Sequence, residues 1–398
     1  MSHAPSAALS ARHTTVREAL AARTLEALVI TSLPNILYLT SFTGSAAIVV
    51  LTADRLYFIT DFRYVAAVSE MTGTPCECPG LDLVKVDGSY DATLSALLMS
   101  RTLFAGGLGR PRRIGFEAEH LTVSRHLWLS SALSSGETSD TELVATEGIV
   151  ERARLVKDAF EIATLREAAR RLSAVARELP REIRAGRTER DVAMAIDFRL
   201  HQAGFARTAF DTIVASGPNA ALPHARPGER KFVEGDLVVL DFGGVYDSYC
   251  VDLTRTVTVG RASTRAREVY GAVLEAHDRA VASVAPGQSR FAIDAAARDV
   301  LARHDLAEAF GHGTGHGLGI EVHEDPRITR RRPADDEGDA GDGGDHLAGS
   351  AVRAGMVFTI EPGAYLPGWG GVRIEDDVLV TEEGVEVLTS VTTELLEI

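Results

Sequence analysis

Only three cysteines, Cys76, Cys78 and Cys250, occur in 398 residues. That excludes a disulfide framework; Cys76 and Cys78 have no second pair nearby to complete a zinc knuckle, so all three read as reduced thiols. Also missing is any run of about 18 apolar residues, the length a membrane-spanning helix requires. The N-terminal "MSHAPSAALSARHTTVREAL" lacks the apolar centre of a signal peptide. No membrane partner is expected, and the expected compartment is the cytoplasm. Positive charge is scarce: 41 Lys and Arg stand against 56 Asp and Glu, for a net charge of -15. Phosphate binding needs clustered Lys and Arg, so no nucleic-acid partner is expected either. A Gly-rich nucleotide loop and a His-Arg-Asp loop are both absent, which removes a kinase reading of the Asp-Phe-Gly beginning at Asp241. An acidic balance suits the attraction of cations, metal ions and free amino groups included.

What is present is an ordinary globular composition, 45% hydrophobic and 24% charged, in a chain long enough for two domains. Residues 1–150 alternate as an α/β domain. A helical stretch near Val16 to Leu25 precedes the strand-like runs "ALVITS", "AAIVVLT" and "RLYFITD". Interleaved helical segments such as "ATLSALLMS" predict a covered, mixed or parallel sheet. Asp61 is placed to cap a helix through "FRYVAAVSE". The pattern changes at residues 151–398, which open on the amphipathic "LVKDAFEIATLREAARRLSAVARELPREI". A second helix, "TERDVAMAIDFRLHQAG", closes at Gly204. Long strand-like runs follow, with helices among them, and predict an α+β domain built on a mostly antiparallel sheet. Residues 330–349, "RRRPADDEGDAGDGGDHLAG", are low in complexity and read as a solvated loop.

The stretch "GHGTGHGLGIEVHEDP" carries His312, His316 and His323 among closely spaced glycines. Each interior glycine costs a helix about 1 kcal/mol relative to alanine, so this is extended chain or turn rather than a metal-binding helix. Strand alternation predicts His312 and His316 on one side and His323 on the other, unless a bulge intervenes. Four carboxylates stand elsewhere in strand-like sequence: Asp241 in "VVLDFGG", Asp252 in "YCVDLTRTV", Glu361 in "TIEPG" and Glu375 in "RIEDD". The turn-prone "GGVYDS" predicts a hairpin that brings Asp241 and Asp252 onto one face, where two anions repel unless a cation lies between them. With His316 the set carries four negative charges and one imidazole, enough to balance two divalent cations.

The ordered set D241-FG, VD252-LTRT, GH316-GLGIEVHE, E361-PG and RIE375-D resembles the pita-bread metallopeptidases, the family of aminopeptidase P, prolidase and methionine aminopeptidase. The resemblance covers residues 151–398, and the first region resembles the creatinase-like domain that precedes the catalytic domain in aminopeptidase P and prolidase. It implies a pita-bread catalytic domain with a curved, mostly antiparallel sheet. It also implies two divalent metal ions: Asp241 on one, His316 and Glu361 on the other, Asp252 and Glu375 bridging both. Two such cations share a water and lower its pKa, giving a hydroxide that attacks a carbonyl carbon. Hard oxygen ligands with one imidazole favour Mn, with Co, Fe or Zn also suited. By the same resemblance Glu361 shuttles the proton, and His224 and His323 contact substrate and stabilise the tetrahedral intermediate; Arg373, two residues before Glu375, is placed to orient the carboxylates from behind, and His312 either supports the ligands in the same way or is structural.

The implied activity is that of an aminopeptidase P, releasing the N-terminal residue of a proline-containing peptide. The Xaa-Pro bond lacks an N–H, so it needs a dedicated pocket. A prolidase, which takes Xaa-Pro dipeptides, shares every residue named and would add an Arg for proline's carboxylate, with Arg63 or Arg373 as candidates. A creatinase-like amidinohydrolase and a non-catalytic peptide-binding module are further members of the scaffold that retention of all five ligands disfavours. The acidic 330–349 stretch is expected near the site entrance, where it would favour free amino groups and basic side chains. A homodimer is the expected assembly.

Overall fold

A computed structural model of the chain describes residues 3–100, 112–134, 141–331 and 349–398. Residues 332–348, most of the acidic stretch expected at the entrance, lie outside the described residues. The chain divides into two compact units that part between Arg154 and Leu155. No helix among the described residues is long and apolar enough to cross a membrane.

The strands of the first unit are β1 (Ala27–Ile30), β2 (Ile48–Thr52), β3 (Leu56–Thr60), β4 (Leu81–Lys85), β5 (Arg113–Glu117) and β6 (Glu142–Thr146). They form one sheet in the order β4-β3-β2-β1-β5-β6. Pairings around β2 are antiparallel and the outer ones parallel, which is the mixed sheet expected. β1 and β2 are buried along their whole length, as near-continuous apolar strands covered on both faces should be. Helices α1 (Ser6–Ala22), α2 (Leu33–Thr40), α3 (Phe62–Glu70), α4 (Tyr90–Met99), α5 (Val123–Leu133) and α6 (Ile149–Arg154) complete the unit. Asp61 caps α3 by accepting from the Arg63 N–H at 3.0 Å.

α1 begins ten residues before the expected helix and ends at Ala22 rather than Leu25. Its buried stripe is Leu9, Arg12, His13, Val16 and Leu20, so two polar residues hold core positions that a hydrophobic pattern does not reveal. Their polar ends are satisfied by α2: Arg12 Nη1 donates to the Tyr38 carbonyl at 2.8 Å, and His13 Nε2 to that of Leu39 at 2.7 Å. Burial, with Arg17 and Arg12 adding to it, lowers the His13 pKa to about 4. A histidine whose folded pKa lies below its unfolded value near 6.5 takes up its proton more readily when unfolded. Stability of this unit is therefore expected to fall as pH drops from about 6.5 to about 4, by up to about 3 kcal/mol from this group. Thermal melts across that range should show the loss, and His13→Gln should flatten it; an unchanged slope in the variant would sink the assignment.

The second unit begins with α7 (Ala159–Glu178) and α8 (Glu189–Gln202), whose starts carry reciprocal capping boxes, Asp158 with Glu161 and Thr188 with Asp191. Short β7 (Arg207–Thr208) and β8 (Ile213–Ser216) lead to a long hairpin of β9 (Leu237–Tyr246) and β10 (Tyr249–Thr258). Its two-residue turn, Asp247 and Ser248, has positive φ at both positions, the geometry whose twist matches the flanking strands. Helices α9 (Thr264–Ala282) and α10 (Arg290–Arg303) follow. Then come β11 (Gly315–Gly317), β12 (Glu324–Ile328), β13 (Val357–Ile360), β14 (Gly363–Leu366), β15 (Gly370–Arg373), β16 (Asp376–Thr381) and β17 (Gly384–Val387). Sheet pairings in this unit are antiparallel, in the orders β10-β9-β7 with β8 on β9, β12-β11-β13-β16-β17, and β14-β15. α9 and α10 bury Val273, Ala276, Ile293, Ala297 and Val300 against Phe358, Ile360 and Val378. A bridge between Thr254 and Glu375 joins the hairpin to the edge of β16, and this junction is where the acidic residues meet.

Candidate metal centre

Asp241 and Asp252 stand on the hairpin as expected. Asp241 lies opposite Thr254 and Asp252 opposite Gly243, so the carboxylates are diagonal neighbours on one face. Glu375 reaches the same place through the Thr254 bridge, its Oε2 accepting from Thr254 Oγ1 at 2.5 Å. Asp252 and Glu375 are 4% and 2% exposed. Burial, then the charges of Glu375 and Asp241, raises Asp252 well above the usual carboxylate range; burial, then Glu361 and Asp241, does the same to Glu375. Such crowding of acids in a core is costly without a counter-charge.

His316 completes the group. One ligand atom from each of Asp252, His316 and Glu375 falls within 4.8 Å of the other two. Burial lowers the His316 pKa to about 3, so the ring is neutral, the form that binds cations. Its Nδ1 bonds the Gly317 carbonyl at 3.1 Å, which assigns the proton to Nδ1 and leaves the Nε2 lone pair facing Glu361 Oε1 at 3.6 Å. Two lone-pair atoms at that distance suit a cation more than each other, so the donor set fits a divalent metal. Thr359 Oγ1 orders both residues, accepting from the His316 N–H at 3.1 Å and lying 3.5 Å from Glu361 Oε1. Burial lifts Glu361 to about 7, against the opposing pull of Arg373.

The glycines around His316 are explained by close approach. A β-carbon on Gly315 would overlap the Thr359 carbonyl on one side, and one on Gly317 the Asp325 carbonyl on the other. β11 is thus threaded between β13 and β12 with no room for side chains at those points. Alternation places His323 opposite His316 only on an unbroken strand, and the bulge allowed for there is present: their ring centroids are 4.4 Å apart. The register shifts after His316 and the chain turns through residues 318–323, so strand periodicity stops applying. That turn is pinned by Cys250 N–H to the Gly319 carbonyl at 2.6 Å and by a buried ion pair, Lys157 Nζ to Glu324 Oε2, at 3.2 Å.

Arg373 is almost fully buried and committed. Nη2 donates to Asp241 Oδ2 at 2.5 Å, Nη1 to Tyr365 Oη at 2.8 Å and to the Pro223 carbonyl at 3.4 Å, and Nε to Thr254 Oγ1 at 3.2 Å. Tyr365 Oη also lies 2.8 Å from His312 Nε2; since His312 Nδ1 bonds the Gly313 carbonyl at 2.8 Å, Tyr365 donates to Nε2. His312, expected either to support the ligands or to be structural, has Nδ1 3.9 Å from Glu361 Oε2 and so borders the cluster. His224 sits on the exposed loop after Pro223, its charge felt by both His312 and His323. Arg63 is taken up by Asp61 at 2.7 Å in the first unit.

The sequence reading missed Arg327. It lies across from His316 in the β11–β12 pairing, and its charge reaches His316, His323 and Glu361. Its guanidinium makes no hydrogen bond or ion pair with the described residues. Tyr365, Thr254 and Thr359 were missed too; only Thr254, two residues after Asp252 on the same strand face, had a signal in the sequence.

Buried carboxylates and a neutral imidazole on an antiparallel sheet, preceded by a mixed α/β unit, define a two-domain hydrolase of the metallopeptidase class. The profile of metallopeptidase family M24 matches residues 163–382, and that of the creatinase/prolidase N-terminal domain matches residues 12–156. The chain belongs to metallopeptidase family M24. It is 36% identical to an uncharacterized peptidase of Bacillus subtilis over 94% of this chain and 96% of that one. The Xaa-Pro dipeptidase from Bacillus anthracis superposes with a TM-score of 0.85 at 34% identity, covering 98% of this chain and 99% of that one. The X-Pro aminopeptidase from Thermotoga maritima does so with a TM-score of 0.79 at 31% identity, covering 94% and 97%.

Proposed function

We propose that this chain is an Xaa-Pro peptidase that hydrolyses the bond preceding proline at a dinuclear centre held by Asp241, Asp252, His316, Glu361 and Glu375. The observation that carries the reading is the buried group of Asp252, His316 and Glu375 with its donor atoms within 4.8 Å. In the proposed centre Asp241, Asp252, His316, Glu361 and Glu375 would hold the two cations between them. Two divalent cations, manganese in this reading, would polarise the scissile carbonyl and lower the pKa of the attacking water. Glu361, set between His316 Nε2 at 3.6 Å and His312 Nδ1 at 3.9 Å, carries the proton toward the leaving nitrogen. His323, kept neutral by partial desolvation, and His224 present N–H donors to the developing oxyanion. Arg373 holds Asp241 through its Nη2 bond to Oδ2 and so aims the carboxylate. Completeness of the five-residue set weighs against a metal-free amidinohydrolase and against a binding module. Proline-containing peptides as substrates, the cytoplasm and a homodimer belong to the same proposal.

On substrate length, Arg327 favours a dipeptidase over the aminopeptidase P first expected. An uncommitted guanidinium beside the centre is suited to the free carboxylate of a terminal proline, whereas Arg373 and Arg63 are already engaged. With metal-stripped protein reloaded with Mn, Xaa-Pro dipeptides should be cleaved faster than Xaa-Pro-Xaa peptides. Arg327→Gln should raise KM for the dipeptides by about 10- to 100-fold, the worth of a charge-assisted hydrogen bond, and leave longer peptides little changed. A preference for longer peptides with a silent Arg327→Gln would return the assignment to aminopeptidase P; no cleavage of either would end the proposal.

A further inference from the structure

Glu189 is the first residue of α8 and 0% exposed, yet it has no part in the cluster described above. Its Oε1 accepts from the Ser216 N–H at 2.8 Å, Ser216 Oγ at 2.8 Å and Asn219 Nδ2 at 3.0 Å. Its Oε2 accepts from the Gly228 N–H at 3.1 Å and Asn219 Nδ2 at 3.2 Å. Ser216 and Gly228 are the two ends of the loop that carries His224, and Asn219 lies within it. One carboxylate therefore closes the loop at both ends. The positive end of the α8 helix dipole favours an anion at this spot.

We infer that Glu189 is a positioning residue that acts through His224, fixing the loop so that the imidazole is held over the centre; this rests on the peptidase reading above. The loop has a floor as well as a clasp. Gly371 of β15 passes so close beneath it that a β-carbon there would overlap the Ala220 carbonyl, and Arg373 holds the Pro223 carbonyl at 3.4 Å. His224 itself is exposed. Its aim is inherited from the anchors, and a shift of about 1 Å in such a group can cost about a hundredfold in rate.

Glu189→Gln isolates the effect. The amide keeps its size and an oxygen for Ser216, but its NH2 would face the Gly228 N–H, donor against donor. Backbone bonds from the Glu189 N–H to the Arg230 carbonyl and from the Arg190 N–H to the Gly228 carbonyl, both 3.1 Å, remain to hold the fold. On an Xaa-Pro substrate the variant should lose roughly 10- to 100-fold in kcat/KM, mostly in kcat, with Mn uptake unchanged. In a His224→Ala background the same change should cost less than about threefold, because the residue it acts through is gone. Amide exchange in residues 217–228 should quicken by at least about tenfold while α9 and α10 stay protected. Asn219→Ala, a milder cut on the exposed side, should move each readout in the same direction by less and serves if the first variant does not fold. Losses that multiply with His224→Ala, or wild-type exchange in the loop of both variants, would overturn the inference. If the wild type cleaves no proline peptide, the peptidase reading falls, and the exchange measurement still decides the clasp.

Discussion

Asp252→Ala is expected to abolish stoichiometric uptake of divalent cations and to lower kcat/KM by on the order of a thousandfold or more, about 4 kcal/mol of barrier. Asp252 lies at the centre of the cluster, 4% exposed, on the same face as Asp241 and joined with Glu375 and His316 in one ligand-sized group. The residue opposite it, Gly243, has no side chain that could take its place. The same geometry predicts an inverse effect on the metal-free protein. Burial and mutual repulsion raise Asp252, Glu375 and Glu361, the last to about 7, so the folded chain holds protons that the unfolded chain releases near pH 4. For raised carboxyl pKa values the sign is fixed: with respect to Glu361 the metal-free protein is most stable below about pH 4 and loses that contribution as pH rises from there to about 7, and Asp252 and Glu375 act in the same direction. Asp252→Asn should therefore melt higher than wild type when both are stripped at pH 7.5. Mn at about a hundred times its Kd should raise the wild-type melting temperature by roughly 5 to 10 °C, the effect of about 2.7 kcal/mol. Calorimetry with bound-metal analysis reads all of this. Cation binding and turnover at wild-type levels in Asp252→Ala would refute the centre.

Glu361→Gln is expected to lower kcat by about 10²- to 10⁴-fold while KM changes little, the range for losing a positioned proton carrier. The amide is isosteric and its oxygen can still accept from Thr359, 3.5 Å away, so the fold around β13 should survive. What it loses is the ability to take a proton beside His316 Nε2, 3.6 Å off, and beside His312 Nδ1, 3.9 Å off. Loss of one anionic ligand should also weaken cation affinity, so the assay is run at saturating Mn and the pH dependence of kcat compared. The limb of the wild-type profile assigned to this carboxyl should vanish in the variant. A kcat within about tenfold of wild type, with that limb intact, would remove Glu361 from the proton path and leave it a ligand alone.

Much of the site was legible because its residues are chemically out of place in their own segments. Asp241, Asp252, Glu361 and Glu375 are acids inside apolar, strand-forming sequence, and each stands in or at the end of a strand. The Asp61 cap, the breaks at Gly204 and the hairpin turn are equally local, set by a side chain bonding its own backbone or by a residue's φ preference. α1 shows the opposite case: buried Arg12 and His13 hide its hydrophobic stripe until α2 supplies the carbonyls that satisfy them.

The amino-acid order by itself determined the division into an α/β region and an antiparallel α+β region, most element types and the acids that carry charge into the core, because caps, turns and hydrophobic periods act over a few residues. Only the tertiary structure decided that His323 comes to lie against His316, that Arg373 is spent on Asp241 while the Arg327 guanidinium takes no partner among the described residues, and that Glu189 closes the His224 loop. Those outcomes depend on which strands become neighbours and on which donors reach a buried charge, and the partners involved are separated by 27 residues for Glu189 and Ser216 and by 132 for Asp241 and Arg373.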